Sequence, residues 1–145
     1  MTTQSDMTAD IPGGFLPIDA RGRYEQAFGP VYLNRSRSQI AFRVEDNNMN
    51  AFGACHGGAM STFADMQLLA VKPAPGVGGD HTPTISLSID YLAPARLHDW
   101  VISSVLIVKV TRTMLFTQAL ISVRDEIVAR SAAIYRNYPD KVEVQ

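Results

Sequence analysis

Between Gln39 and Glu45, the apolar residues Ile40, Phe42 and Val44 alternate with Ala41, Arg43 and Glu45, the period of a half-buried β-strand. Thr84 to Leu92 repeats the pattern, with Ile85, Leu87, Ile89 and Tyr91 set against Ser86, Ser88 and Asp90. Further strands are predicted over Phe28–Asn34, where Val31, Tyr32 and Leu33 follow Pro30, and over Trp100–Val110, Met114–Arg124 and Ile127–Asn137. The last of these is entered through a tight turn at Asp125-Glu126. Ala59 to Val71 differs in kind. It is rich in Ala, Met and Leu, and only Thr62 and Val71 are β-branched, so a helix is predicted there. That helix is apolar on nearly every side and must be surrounded by protein. Pro73 and Pro75 end it.

The predicted order is two strands, one buried helix, then four strands. Short links among the later strands imply antiparallel pairing. One helix cannot cover both faces of such a sheet, and a twisted sheet curled around it solves the packing. The expected class is α+β, an antiparallel sheet of about six strands wrapped around one long central helix. Its outer face or edge is then free for self-association. Residues 1–14 are polar, hold Pro12, Gly13 and Gly14, and read as a flexible leader to a single domain over 15–145. Ile18 to Phe28 reads as a short helix or an extended arm. Asp46 to Asn50 reads as a loop and Gly76 to Asp80 as a glycine-rich turn.

Composition narrows the function classes. A chain of 145 residues with 46% apolar and 19% charged residues is of ordinary globular make-up. The net charge of −1 gives no concentrated basic face for nucleic acid; Glu25 interrupts the loose run of Arg21, Arg23, Arg35, Arg37 and Arg43. A single cysteine, Cys55, allows no internal disulfide and is compatible with a reducing compartment. No signal-like start and no membrane-length apolar run are present, so the expectation is cytoplasmic with no membrane partner.

Candidate chemistry lies between Asn50 and Asp65. A pair of glycines, Gly57-Gly58, opens the predicted helix, where unpaired N–H groups and the positive end of the dipole favour an anionic oxygen. Asp65 sits in an otherwise apolar helix, where a carboxylate is costly unless paired or functional. Asp65 is eight residues beyond Gly57, ~12 Å of helix rise, too far for both to serve one carbonyl within a single helix. Either a second subunit supplies one of the two groups, or substrate bridges the gap.

The segment Asn50 to Asp65, with His56-Gly57-Gly58 at its centre, resembles the motif of the phenylacetate-degradation-type hotdog thioesterases. The likeness continues through Ser88-Ile89-Asp90-Tyr91-Leu92-Ala93-Pro94-Ala95 and the later strands to about Tyr138. It implies a hotdog fold and hydrolysis of an acyl-CoA thioester to a carboxylic acid and coenzyme A. It implies Asp65 as general base or nucleophile and the Gly57 backbone N–H polarising the thioester carbonyl from the opposite subunit of a homodimer or homotetramer. It further implies Asn50 positioning substrate or water, His56 near the thioester beside Gly58, and Thr84 orienting the attacking water. Arg112, Lys109 and Arg96 are candidates for the coenzyme A phosphates.

No cofactor is expected, since coenzyme A is part of the substrate. His81 and His98 show no metal-ligand spacing, and no Gly-x-Ser-x-Gly elbow or P-loop occurs. Cys55 reads as a small buried residue rather than a nucleophile. Met66-Gln67-Leu68-Leu69 is bulkier than is frequent in relatives and reshapes the expected acyl pocket. Two alternatives stand beside hydrolysis: a non-catalytic acyl-CoA sensor on the same fold, which would not need Asp65, and a hydratase or dehydratase, for which the order His56 before Asp65 is unsuited. The sequence leaves open the acyl group and the choice between coenzyme A and an acyl carrier protein.

Overall fold

The computed structural model describes residues 10–19, 22–72, 74–78 and 81–138. Among these described residues, seven antiparallel strands form one sheet: β1 (Leu16–Ile18), β2 (Val31–Asn34), β3 (Gln39–Arg43), β4 (Thr84–Tyr91), β5 (Trp100–Val110), β6 (Met114–Val123) and β7 (Glu126–Arg136). Their spatial order is β1-β2-β3-β5-β6-β7-β4. The count exceeds the expected six because Leu16–Ile18, just after the expected leader and at the start of the ambiguous arm, pairs with β2 through Leu16↔Leu33 and Ile18↔Val31. It is followed by a short helix, α1 (Arg23–Phe28).

The predicted central helix occurs as two pieces, α2 (Gly57–Ala64) and α3 (Gln67–Val71). They break at Asp65-Met66, where the Met66 N–H turns back to the Phe63 carbonyl in a tighter turn. Two buried side chains take up the freed carbonyls. Gln67 Nε2 donates to the Ala64 carbonyl (2.9 Å), and the Tyr135 hydroxyl donates to the Asp65 carbonyl (2.9 Å). The largely apolar run concealed this break because the Asp65 carbonyl finds its donor on β7, 70 residues away in sequence.

The helical layer supplies Met60, Phe63, Ala64, Leu68, Ala70 and Val71 to the core, against Ile40, Phe42, Val101, Leu115, Ile121 and Tyr135 from the sheet. Phe42 is the hinge of an aromatic row, 4.9 Å from Phe28 and 4.6 Å from Phe63 between ring centroids. On the far face of the first strands, Phe15, Tyr32 and Ala41 form a second cluster with Ile11, Trp100 and Ile102. Residues 1–9 of the expected leader lie outside the described residues. The β6–β7 hairpin turns on Arg124 (φ 44°) and Asp125 (φ 68°), one residue earlier than read from sequence, and two positive φ values give the turn the twist a hairpin needs.

β4 is an edge strand, paired only with β7 among the described residues. It leaves Ile85, Tyr91 and Leu92 at least half exposed. Among the described residues no helix is long and apolar enough to cross a membrane.

Candidate active site

Asp65 ends α2 and lies at the break, so its side chain leaves the helix instead of continuing along it. Its carboxylate Oδ1 accepts a 2.8 Å hydrogen bond from Thr84 Oγ1. Strict alternation along β4 would point Ile85 toward the helices and Thr84 away from them. The structure reverses this with a bulge: Thr84 pairs with Tyr135 while Ser86 pairs with Ile134, leaving Ile85 as the extra residue. Bulges re-aim side chains in this way. Ile85 is 50% exposed, and Thr84 reaches Asp65.

Burial raises the Asp65 pKa above the ordinary carboxylate value, and hydrogen bonding from Thr84 and Tyr135 opposes that shift. Burial also raises the pKa of Tyr135, and the neighbouring Asp65 charge adds to it, so this phenol stays protonated and can donate. Asp65 lines a cavity of about 730 Å³. Its apolar walls are Ile18, Val31 and Leu33 from the first two strands and Met66, Leu68 and Leu69 from the broken helix. Arg35, whose Nη1 donates to the Lys72 carbonyl (2.7 Å), stands at its rim with Lys72, Asp19 and Glu25. Asn137 pins another wall, the 76–78 loop, by accepting from Gly78 N–H and donating to the Gly76 carbonyl, both at 2.8 Å.

The other half of the motif is built around one peptide. His56 caps α2: its Nδ1 accepts from the Gly58 N–H at 2.8 Å, which leaves the proton of a neutral ring on Nε2. From the opposite side the Tyr91 hydroxyl donates to the Gly57 carbonyl (2.8 Å) and meets Ser61 Oγ at 2.6 Å. The Gly57–Gly58 peptide is therefore held at both its N–H and its C=O. The Gly57 N–H itself finds no acceptor among the described residues. Asn50 spends its side-chain oxygen on the backbone, accepting from Phe52 N–H (2.8 Å) and Ala54 N–H (3.0 Å), and so shapes the turn that leads to His56.

The structure thus brings Thr84 to Asp65, and gathers Asn50, His56, Gly57 and Gly58 at the start of α2. Within one chain these are two separate groups. Thr84 and Asp65 lie at the end of β4 that faces Tyr135, and Gly57 lies at the other end, against Tyr91. The cation candidates divide in the same way. Arg96 follows Ala95, whose carbonyl accepts from Cys55 N–H, near the His56 turn. Exposed Lys109 and Arg112 sit around the β5–β6 hairpin, at the sheet end where β6 begins opposite Arg136. Cys55 is half-buried, and burial pushes its thiol up to about 11. Among the described residues no group of His, Cys, Asp or Glu is arranged to hold a metal ion.

Tyr135, Tyr91 and Gln67 were missed by sequence reasoning. The one signal for them was a polar group at a position whose neighbours along the same face are apolar.

The antiparallel sheet wrapped around a central helical layer is the hotdog architecture. Residues 52–129 match the family model described as the thioesterase superfamily. Human acyl-coenzyme A thioesterase 13 is 32% identical over 121 residues, covering 78% of this chain and 82% of the relative. A mutant of phenylacetic acid degradation protein PaaI from Thermus thermophilus superposes with a TM-score of 0.62 at 15% identity, over 86% of this chain and 93% of that one. The protein smu.793 from Streptococcus mutans, solved bound to acetyl CoA, gives 0.64 at 18% identity, over 89% and 92%. The chain belongs to the thioesterase superfamily, and its reaction class is thioester hydrolysis.

Proposed function

We propose that the protein hydrolyses acyl-CoA thioesters through composite sites formed by two copies of the chain. The observation that carries this reading is the Asp65 carboxylate, held by Thr84 at the wall of an apolar cavity. A cavity of this size is within the ~300–1,000 Å³ range of small-molecule sites, and its lining suits the apolar part of an acyl group. Asp65 accepts a proton from water as the water oxygen attacks the thioester carbon, or attacks that carbon itself to form an acyl–Asp65 anhydride that water then hydrolyses to the free acid, restoring the carboxylate. On either route the carbon–sulfur bond breaks after the first attack, and the departing thiolate takes up a proton as free coenzyme A.

The developing oxyanion needs a donor, and the Gly57 N–H is suited to it. Eight residues of helix separate that donor from Asp65, so the Gly57 end of a second copy completes the site. The free edge of β4, with Ile85, Tyr91 and Leu92 exposed, supports such an approach. Antiparallel juxtaposition of two β4 edges would bring Arg96 of one half-site toward Lys109 and Arg112 of the other, where the nucleotide phosphates need cations. The structural likeness to an acetyl-CoA-bound protein and the thioesterase 13 relative agree with this substrate class.

The test is a panel of acyl-CoA thioesters assayed for released thiol, with Asp65→Asn alongside. Turnover that drops by ~10²-fold or more in the variant supports Asp65 as the reacting carboxylate. Binding of acyl-CoA by both proteins without cleavage by either would replace hydrolysis with a sensor role.

A further inference from the structure

We propose that Tyr135 is a positioning residue for Asp65, acting with Thr84 as a two-point grip that fixes the carboxylate at the helix break. This rests on the thioesterase reading above. Tyr135 on β7 and Thr84 on β4 are register partners, which the bulge at Ile85 makes possible. From that one cross-strand pair, Thr84 Oγ1 holds the Asp65 side chain at 2.8 Å and Tyr135 Oη holds the Asp65 main chain at 2.9 Å. An aspartate has two side-chain torsions, and fixing its carbonyl and one carboxylate oxygen leaves little freedom in either.

The position of Tyr135 argues for more than filling space. It is 1% exposed among apolar neighbours, where a phenylalanine would pack equally well and leave no hydroxyl to satisfy. Its hydroxyl instead meets the one carbonyl that the helix break exposes at Asp65. Gln67, also fully buried, secures the adjacent Ala64 carbonyl and reaches Ser131 Oγ at 3.2 Å, so the break is braced by β7 at two points. The break therefore has a defined geometry, and that geometry turns Asp65 out of the helix toward the cavity. The other ionisable groups lining that cavity are Asp19, Glu25, Arg35 and Lys72, and replacing the Tyr135 hydroxyl alters none of them.

The experiment is a carbon-13 NMR titration of the Asp65 side-chain carboxyl in the wild-type protein and in Tyr135→Phe, run beside the pH dependence of hydrolysis. The Tyr135 hydroxyl, although it donates to the main-chain carbonyl, lies close enough to lower the Asp65 pKa, so its loss disfavours the ionised carboxylate. The expected result is an upward move of the Asp65 titration midpoint and of the acid limb of kcat/KM, with kcat down about tenfold and KM little changed. A role confined to packing would lower the melting temperature and leave the midpoint in place, and that outcome overturns the proposal. Should the phenylalanine variant fail to fold, 3-fluorotyrosine at position 135 keeps the packing and strengthens the donor. The midpoint must then move down, and an unchanged midpoint again overturns the proposal. The titration needs no turnover, so it decides the grip even if no thioester is cleaved, an outcome that would sink the thioesterase reading separately.

Discussion

Replacing Gly57 by alanine separates what this glycine does for its own chain from what it does for a ligand. An ideal Cβ at Gly57 would meet Tyr91 Cζ and Oη at 3.5 Å, ordinary van der Waals contact, and the residue does not need a positive φ. Among the described residues, therefore, nothing within the chain requires glycine there. Alanine favours helix over glycine by up to ~1 kcal/mol, and the first helical position realises only part of this. The melting temperature is expected to stay level or rise by at most about 3 °C, the shift that ~1 kcal/mol gives in a domain of this size. Gly58 differs, because a Cβ there would lie 2.9 Å from His56 Nδ1 and displace the cap. If a thioester oxygen approaches the Gly57 N–H, the added methyl crowds that approach while the fold is untouched. Loss of an oxyanion donor costs ~10²–10³ in kcat, so Gly57→Ala should lose at least ~10-fold in turnover. Differential scanning calorimetry and a thiol-release assay on the same preparation read both quantities. Full activity in Gly57→Ala would refute the oxyanion reasoning, and a fall of several degrees in melting temperature would refute the claim that the chain itself tolerates the methyl.

Other outcomes follow from the same geometry. Burial raises the Asp65 pKa, so the stability this residue allows is fully present below the ordinary value of 3.8 and is lost as pH rises through the folded value. Asp65→Asn should therefore melt higher than wild type at pH 7, with the gap closing as pH falls toward 3.8; equal melting curves at pH 7 would contradict this. Leu69 lines the cavity yet is 38% exposed, so Leu69→Trp can narrow it at little cost to the core. It should shift the thioester panel toward shorter acyl groups, whereas an unchanged preference would place the acyl group elsewhere. With its thiol pushed to about 11, Cys55 holds roughly one thiolate in 10⁴ molecules at pH 7, so mass spectrometry should find slow alkylation that accelerates steeply with pH, and Cys55→Ala should retain turnover.

The sequence carried the elements whose signal is local. Ile40, Phe42 and Val44 face the core as their alternation demands, and Met60, Phe63 and Leu68 are buried as an all-round apolar helix requires. Thr84 entered the site only through family likeness, as a residue orienting water, and its contact with Asp65 was not anticipated, since alternation in β4 argues against it and a bulge cannot be read from a run of Thr, Ile and Ser. The helix break was illegible for a related reason: the hydroxyl of Tyr135 that satisfies the Asp65 carbonyl there belongs to a strand 70 residues away in sequence. His56 was expected beside the thioester, and its capping of Gly58 became visible only with ring orientation. The cavity needed three-dimensional assembly, because Ile18 and Val31 meet Leu68 only once β1 and β2 fold over the helical layer.

The distance along α2 between Gly57 and Asp65 has a genetic consequence. If each working centre draws its donor from one copy and its carboxylate from the other, two loss-of-function alleles of different kinds are not equivalent to two of the same kind. A copy lacking the Asp65 carboxylate and a copy impaired at Gly57 would pair to give one centre with both lesions and one with neither. Such alleles would complement each other in a single cell. Excess of either mutant would poison a wild-type partner only by half.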